Sequence, residues 1–263
     1  MVAIRWGTPG AELPTLTDVT AGDVAATLDP HAKDVPELRP NLWLEQEMAR
    51  LESLTSSEDP PIRAAAMSDL AVHRLPSNPP AAHQGATDAL ALAEEQRVPQ
   101  ALAAAHRALA WTEFFHRSEL RASMNHAQEA ECYYHDLGRE AREAEMIMFR
   151  MFRAAYFTRS YATALGLEQP MLELLQGPAE GPDEEIRFRL YAQLHILLAW
   201  FVTLAGEDDE QRSRHLALAT TFARAAPAPL AVADVHELRG EFLESRDESQ
   251  GALPHFERMV LIG

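Results

Sequence analysis

The chain has 263 residues, with 40 acidic side chains against 23 basic ones and a formal net charge of −17. Such a balance repels phosphate backbones and anionic lipid, so it counts against nucleic acid as a direct ligand and against a membrane surface. A lone cysteine, Cys132, excludes an internal disulfide and any cysteine-rich metal cage, while sparse Gly and abundant Ala, Leu, Glu, Arg and Gln favour helix throughout.

Residues 1–40 carry Pro9, Pro14, Pro30, Pro36 and Pro40 together with Gly7, Gly10 and Gly22. This composition predicts an irregular arm, in which only 21–28 could make a turn or two of helix and Trp6 could act as an anchor. A helix is expected from 41 to 54, capped by Asn41, with Leu44, Met48, Leu51 and Leu54 at helical spacing. After SSEDPP, with Pro61 in a first turn, the pattern predicts helices over 61–75, 80–95, 98–116, 118–137, 139–158, 160–176, 184–205, 208–225, 229–245 and 248–262. The breaks between them are short and rich in Pro, Gly and Asp. No stretch alternates apolar and polar residues long enough to demand a strand, so the fold class is all-α, with an arm over 1–40 and a helical domain over 41–263.

The segment 144–165 is apolar on nearly every side: Met146, Phe149, Arg153 and Tyr156 share one helical face, and Met148, Phe152 and Ala155 another. A helix apolar all round must be covered on both sides, so it belongs inside a larger helical array. The longest apolar run, near 190–205, is interrupted by Gln193 and His195 and is short for a bilayer span. The N-terminus has no basic stretch followed by an apolar one, so a reducing cytoplasm is the expected compartment.

Ten helices taken two at a time make five hairpins, and small residues recur in them. Ala82, Ala122, Ala164, Gln211 and Ala252 align early in the second helices, and Leu70, Ala110, Phe152, Ala199 and Gly240 stand twelve residues before them. Small side chains at such points let two helix backbones approach closely. This pattern resembles the tetratricopeptide repeat, with the fifth hairpin, Gly240, Leu243, Asp247, Ala252 and Phe256, following the family's spacing. The resemblance covers roughly 61–262, although the pitch is longer than the family's usual repeat of about 34 residues, Phe152 is large and Gln211 stands in an alanine's place. It implies an α-solenoid of about five hairpins preceded by one extra helix. It is similar to the stretched repeats of bacterial signalling proteins such as diguanylate cyclases and LuxR-type regulators. The function it implies is a non-catalytic regulatory scaffold that binds a protein or peptide segment.

Eleven histidines invite a metal reading, but no HExxH or comparable ligand spacing is present. The repeat register instead places His106, His195 and His236 at one equivalent position and His126 and His215 at another, which marks them as packing histidines. Cys132 lacks an aligned base and is expected to be a buried small hydrophobe. The acidic runs Glu140, Glu143, Glu145 and Asp183, Glu184, Glu185 open helices, where negative charge offsets the dipole. Neither a catalytic group nor a metal or other cofactor is therefore expected.

What remains is a surface. The family's groove positions, carried over by register, are Arg107, Trp111, Phe114 and Phe115, then Met146, Phe149, Arg153, Tyr156 and Phe157, then Ile196 and Trp200, then Glu237 and Glu241. Met and aromatic side chains offer a large adaptable contact area, and Arg can hold a carboxylate. The expected partner is thus a segment with an apolar centre, an acidic group near Arg107 and Arg153, and basic residues near Glu237 and Glu241. Three other readings compete with this open groove. The aromatic positions could be core or covered by the N-terminal arm, the chain could form a homodimer through its last helix, or the Trp111, Phe149 and Trp200 region could close into a pocket for a small molecule.

Overall fold

The computed structural model describes residues 13–28, 40–177, 182–205, 209–225 and 229–262. Among the described residues every regular element is helical, and the protein is all-α. After a 3-10 turn at Leu16–Asp18 come α1 (Ala21–Leu28), α2 (Pro40–Leu54), α3 (Pro60–Arg74), α4 (Pro79–Gln96), α5 (Pro99–Thr112), α6 (Leu120–Asp136) and α7 (Glu140–Thr158). The remaining helices are α8 (Tyr161–Leu165), α9 (Glu168–Gln176), α10 (Pro182–Ala205), α11 (Asp209–Ala225), α12 (Pro229–Glu244) and α13 (Ser249–Ile262).

Local chemistry sets these boundaries. Prolines occupy the first turns of α3, α4 and α5, where the missing N–H would have no helical partner anyway, and the Asn78 side chain accepts the Ala81 amide to cap α4. Helices stop where the chain enters left-handed backbone at Arg97, Ser118, Gly138, Arg159 and Asp247. Beyond α6 and α12, six-residue closures (the Arg139 amide on the Tyr134 carbonyl, the Glu248 amide on the Leu243 carbonyl) satisfy the last turns. Three boundaries differ from expectation. Pro40 rather than Asn41 leads α2; the expected helix 160–176 divides at Gly166 and Leu167; and the last turn of the expected helix 98–116 widens into a π turn, Glu113–Arg117.

The chain divides into two compact units, Asn41–Arg150 and a second formed by Met1–Pro40 with Met151–Gly263, the division falling inside α7. In Asn41–Arg150, α3 pairs with α4 and α5 with α6, while α4 and α3 both pack on α5. The seams are alanine-rich: Ala71, Ala86 and Ala108 meet with Leu109, and Ala64, Ala89, Ala93, Ala101 and Ala105 form a second layer. Alanine at a crossing brings backbones close and leaves little side-chain entropy to lose. Leu51 of α2 closes the start of the unit against Ala66 and Leu70.

The second unit repeats the pattern: α10 pairs with α11 and α12 with α13, while α11 and α10 both pack on α12. Ala199, Leu216, Leu238 and Phe242 make its centre. Gly240 is where the expected close approach occurs, since a Cβ there would stand 2.5 Å from Phe256 Cε1 and 2.7 Å from Cζ. Alanine would gain about 1 kcal/mol of helix propensity. Overpacking typically costs about 1–3 kcal/mol, so Gly240→Ala is expected to destabilise by about 1 kcal/mol in urea unfolding; a stabilised variant would show that the Phe256 ring moves aside freely.

The alignment of small residues is corrected by one position in two hairpins. Ala122 is only half-buried, whereas Ser123 is fully buried with its hydroxyl on the Ala110 carbonyl at 2.9 Å. Likewise Gln211 is exposed and its neighbour Arg212 is buried. Alanine alone does not mark these positions, because serine and an arginine stem also occupy them in buried form.

Candidate functional site

The second unit holds a segment of its own chain. Leu13 and Val19 are buried to 4 % and 8 % exposure, and residues Leu16–Asp18 and α1 lie against α11. The Tyr191 hydroxyl, on α10, donates to the Pro14 carbonyl. Burial, helped by the charges of Asp18 and Glu168, pushes the Tyr191 phenol well above its usual range and keeps it a donor. Two reciprocal caps shape the segment. Asp18 takes the Thr15 amide at 2.7 Å and hydroxyl at 2.9 Å, and Asp23 takes the Thr20 amide at 2.9 Å and hydroxyl at 2.6 Å. These bonds hold both carboxyls below their ordinary range. The short helix over 21–28 expected from sequence is present; Trp6 and 29–39 lie outside the described residues. A depression of about 220 Å³ lined by Leu16, Glu210, Gln211 and Arg214 borders the segment.

Most of the groove residues expected in Asn41–Arg150 are interior. Met146 and Phe149 have no exposed surface, and Phe114 is 2 % exposed. Met146 joins Ala103, Ala130 and Tyr134 in the core. Phe149 stands edge-on to Trp111 at 4.8 Å between ring centroids and to Phe114 at 5.4 Å. Phe115, half exposed, offers its ring to solvent, stacked at 5.9 Å on Trp111, which is itself partly buried. The π turn that carries Phe114 and Phe115 puts one ring in the core and the next outside. Arg107 is also committed internally. It donates to Asp69 at 2.9 Å, its Nε lies 3.5 Å from Glu145, and Glu145 in turn accepts from Arg142 at 2.6 Å. Glu145 is thus an internal ion partner and not a dipole charge.

In the second unit Ile196 and Trp200 pack against the Ala199, Leu216, Leu238 and Phe242 cluster. Arg153 is half-buried, its Nε without a hydrogen-bond partner among the described residues. Glu237 and Glu241 are exposed on α12, where partial burial and then the Glu237 charge raise the Glu241 carboxyl. The side chains of Tyr156 and Phe157, like those of Asp183, Glu184 and Glu185, lie outside the described residues.

The fold has a solved counterpart. It is similar to the crystal structure of BtubC (BKLC) from P. vanneervenii, with a TM-score of 0.53 and 17 % identity, over 85 % of this chain and 89 % of that one. No protein-family model matches the chain, and no curated protein matches it significantly. At this identity the likeness to BtubC speaks for the fold alone.

Like the face that holds residues 13–28, the histidine network was only half visible beforehand. In three hairpins, α5–α6, α10–α11 and α12–α13, two histidines meet across the pair. His106 and His126 are 2.9 Å apart between Nδ1 atoms, His195 and His215 2.9 Å, and His236 and His255 3.1 Å. Counting from Ser123, Arg212 and Ala252, the second-helix histidine always lies three residues on, a rule that the one-position misalignment concealed for His255. Among the described residues no group of three or more His, Cys, Asp or Glu side chains is placed to hold a metal ion. Cys132 is exposed, not buried as expected, because it sits on the solvent side of α6 beside the buried Ala130 and Tyr134. Among the described residues no helix is long and apolar enough to cross a membrane.

Proposed function

We propose that the protein is a non-catalytic scaffold of tetratricopeptide-like helical hairpins that binds a peptide segment of a partner protein, and that its α10–α11 face is the receiving surface. The observation that carries this reading is the bound segment itself. Two apolar residues, a proline carbonyl and a hydroxyl-capped short helix (Leu13, Val19, Pro14 and α1) already lie on that face, fixed by the buried Tyr191 hydroxyl. The partner segment shares this chemistry and displaces the chain's own. Repeated hairpin pairing in both units supports the repeat assignment. Regulation follows from competition, since a segment tethered in the same chain occupies its site at an effective concentration on the order of mM.

A labelled peptide of residues 13–28, titrated by fluorescence anisotropy, tests the reading. It should bind a Leu13→Asp/Val19→Asp variant, whose own segment is weakened, at least about tenfold more tightly than the unaltered chain. Adding Tyr191→Phe removes the donor to Pro14 and should cost about 1–2 kcal/mol, or about tenfold in affinity. No saturable binding to the weakened variant would overturn the proposal.

A further inference from the structure

We propose that the three histidine pairs are acid-sensitive clasps, each joining the two helices of one hairpin at neutral pH and releasing them when both rings carry charge. The geometry is repeated in α5–α6, α10–α11 and α12–α13, with the rings facing through Nδ1 atoms at 2.9, 2.9 and 3.1 Å. Contact of this kind requires one ring protonated at Nδ1 and the other bare there, so a pair closes on a single shared proton. In the middle pair the buried His195 Nε2 has no hydrogen-bond partner among the described residues. That assigns His195 as the Nδ1–H donor, whose Nε2 keeps only a lone pair, since an N–H at that position would be an orphaned donor. Further protons must then place charge at an Nε2 without an acceptor, or drive two N–H groups against each other across the pair.

Among the described residues no group offsets a charge on His195 or His215. His195 is 2 % exposed and His215 1 %. The Tyr191 ring stands edge-on to His195 at 4.5 Å. The charged groups on the neighbouring helices are engaged elsewhere: Arg212 of α11 over the Phe242 ring, and Arg239 of α12 on the Thr220 hydroxyl. Burial, then the neighbouring His215, holds His195 well below the ordinary imidazole range, and burial lowers His215 to about 4. The pair at His106 and His126 is only half-buried, and Glu129 faces both rings while Glu113 and His83 face His126. Both of its rings are also lowered, by burial first, but carboxylates oppose the shift there, so this clasp is the weaker acid sensor of the two.

The sign follows from proton uptake. Above pH 6.5 His215 is neutral both folded and unfolded; as the pH falls from 6.5 towards 4 only the unfolded chain binds the proton, and stability is lost across that window. With a folded value of about 4, His215 alone should raise the unfolding equilibrium constant about 30-fold between pH 7.5 and pH 5.

The 263-residue chain and a His195→Phe/His215→Phe variant are to be compared at pH 7.5 and 5.0 by urea unfolding and by amide hydrogen exchange corrected for intrinsic rates. The unaltered protein should show at least the about 30-fold rise, with protection falling in α10 and α11, and the variant's rise should be smaller by at least tenfold. The same pH dependence in both proteins would overturn the clasp. If the variant does not fold, NMR titration of the histidine ring carbons in the unaltered protein decides. His195 and His215 staying neutral at pH 5.5 supports the proposal; titration alongside free imidazole sinks it.

Discussion

Phe149→Ala is expected to lower the unfolding free energy by about 3–5 kcal/mol, the usual loss when a buried aromatic ring is truncated in a core that cannot collapse around the gap. The ring has no exposed surface and stands edge-on to Trp111 and Phe114. Each such edge-to-face contact adds about 0.5–1.5 kcal/mol beyond the area it buries. The substitution separates two roles for the same residue. A groove residue would lose partner affinity and leave the free protein's stability within about 0.5 kcal/mol of its starting value. A core residue shifts the urea midpoint and leaves the slope of the transition unchanged. Phe115→Ala, in the π turn beside Phe114 and half exposed, is the control that should cost far less.

The helices were legible because their signals are local. Prolines at first turns and residues such as Gly138 or Asp247 at stops act within a few positions, whatever the rest of the chain does. The division between core and surface was not legible in 144–165. A Met- and Phe-rich helix face looks the same whether it meets another helix or a ligand, and only the third dimension shows that Met146 and Phe149 are enclosed. Phe114 and Phe115 sharpen the point, since a π turn decides which of two adjacent rings is buried. The histidines fall between these cases. Their equivalence followed from the repeat, but the His236–His255 pair needed a register that only Ser123 and Arg212, in their buried places, could set. Tyr191 carried no signal at all, because its partner Pro14 lies 177 residues away in sequence.

Arg107→Ala is expected to destabilise the protein by about 3 kcal/mol, because it breaks a buried ion network from one side and strands the carboxylates it served. The network ties four helices of Asn41–Arg150: Asp69 from α3, Arg107 from α5, Tyr134 beside it from α6, and Arg142 with Glu145 from α7. Two arginines balance two carboxylates, and the buried Tyr134 phenol is pushed above its usual value by loss of water, which keeps it neutral in their midst. Arg142 has burial working against its charge, yet Glu145 and Asp69 outweigh it and the guanidinium is held more firmly charged than usual. After the substitution Glu145 keeps Arg142 at 2.6 Å, whereas Asp69 loses its hydrogen-bonded partner and keeps only the longer-range attraction of Arg142. Asp69 is one-third exposed, so water recovers part of its loss, which places the effect at the lower end of the about 3–5 kcal/mol range for broken buried pairs. Removing the stranded charge as well should restore stability: Asp69→Leu/Arg107→Met is expected to lie within about 1 kcal/mol of the unaltered protein, since well-packed apolar groups often replace a buried pair at little cost. Urea unfolding of the two single variants and the double one gives the coupling energy directly. A coupling near zero would return Arg107 to the role its sequence position suggested, a cation kept for the carboxylate of a partner.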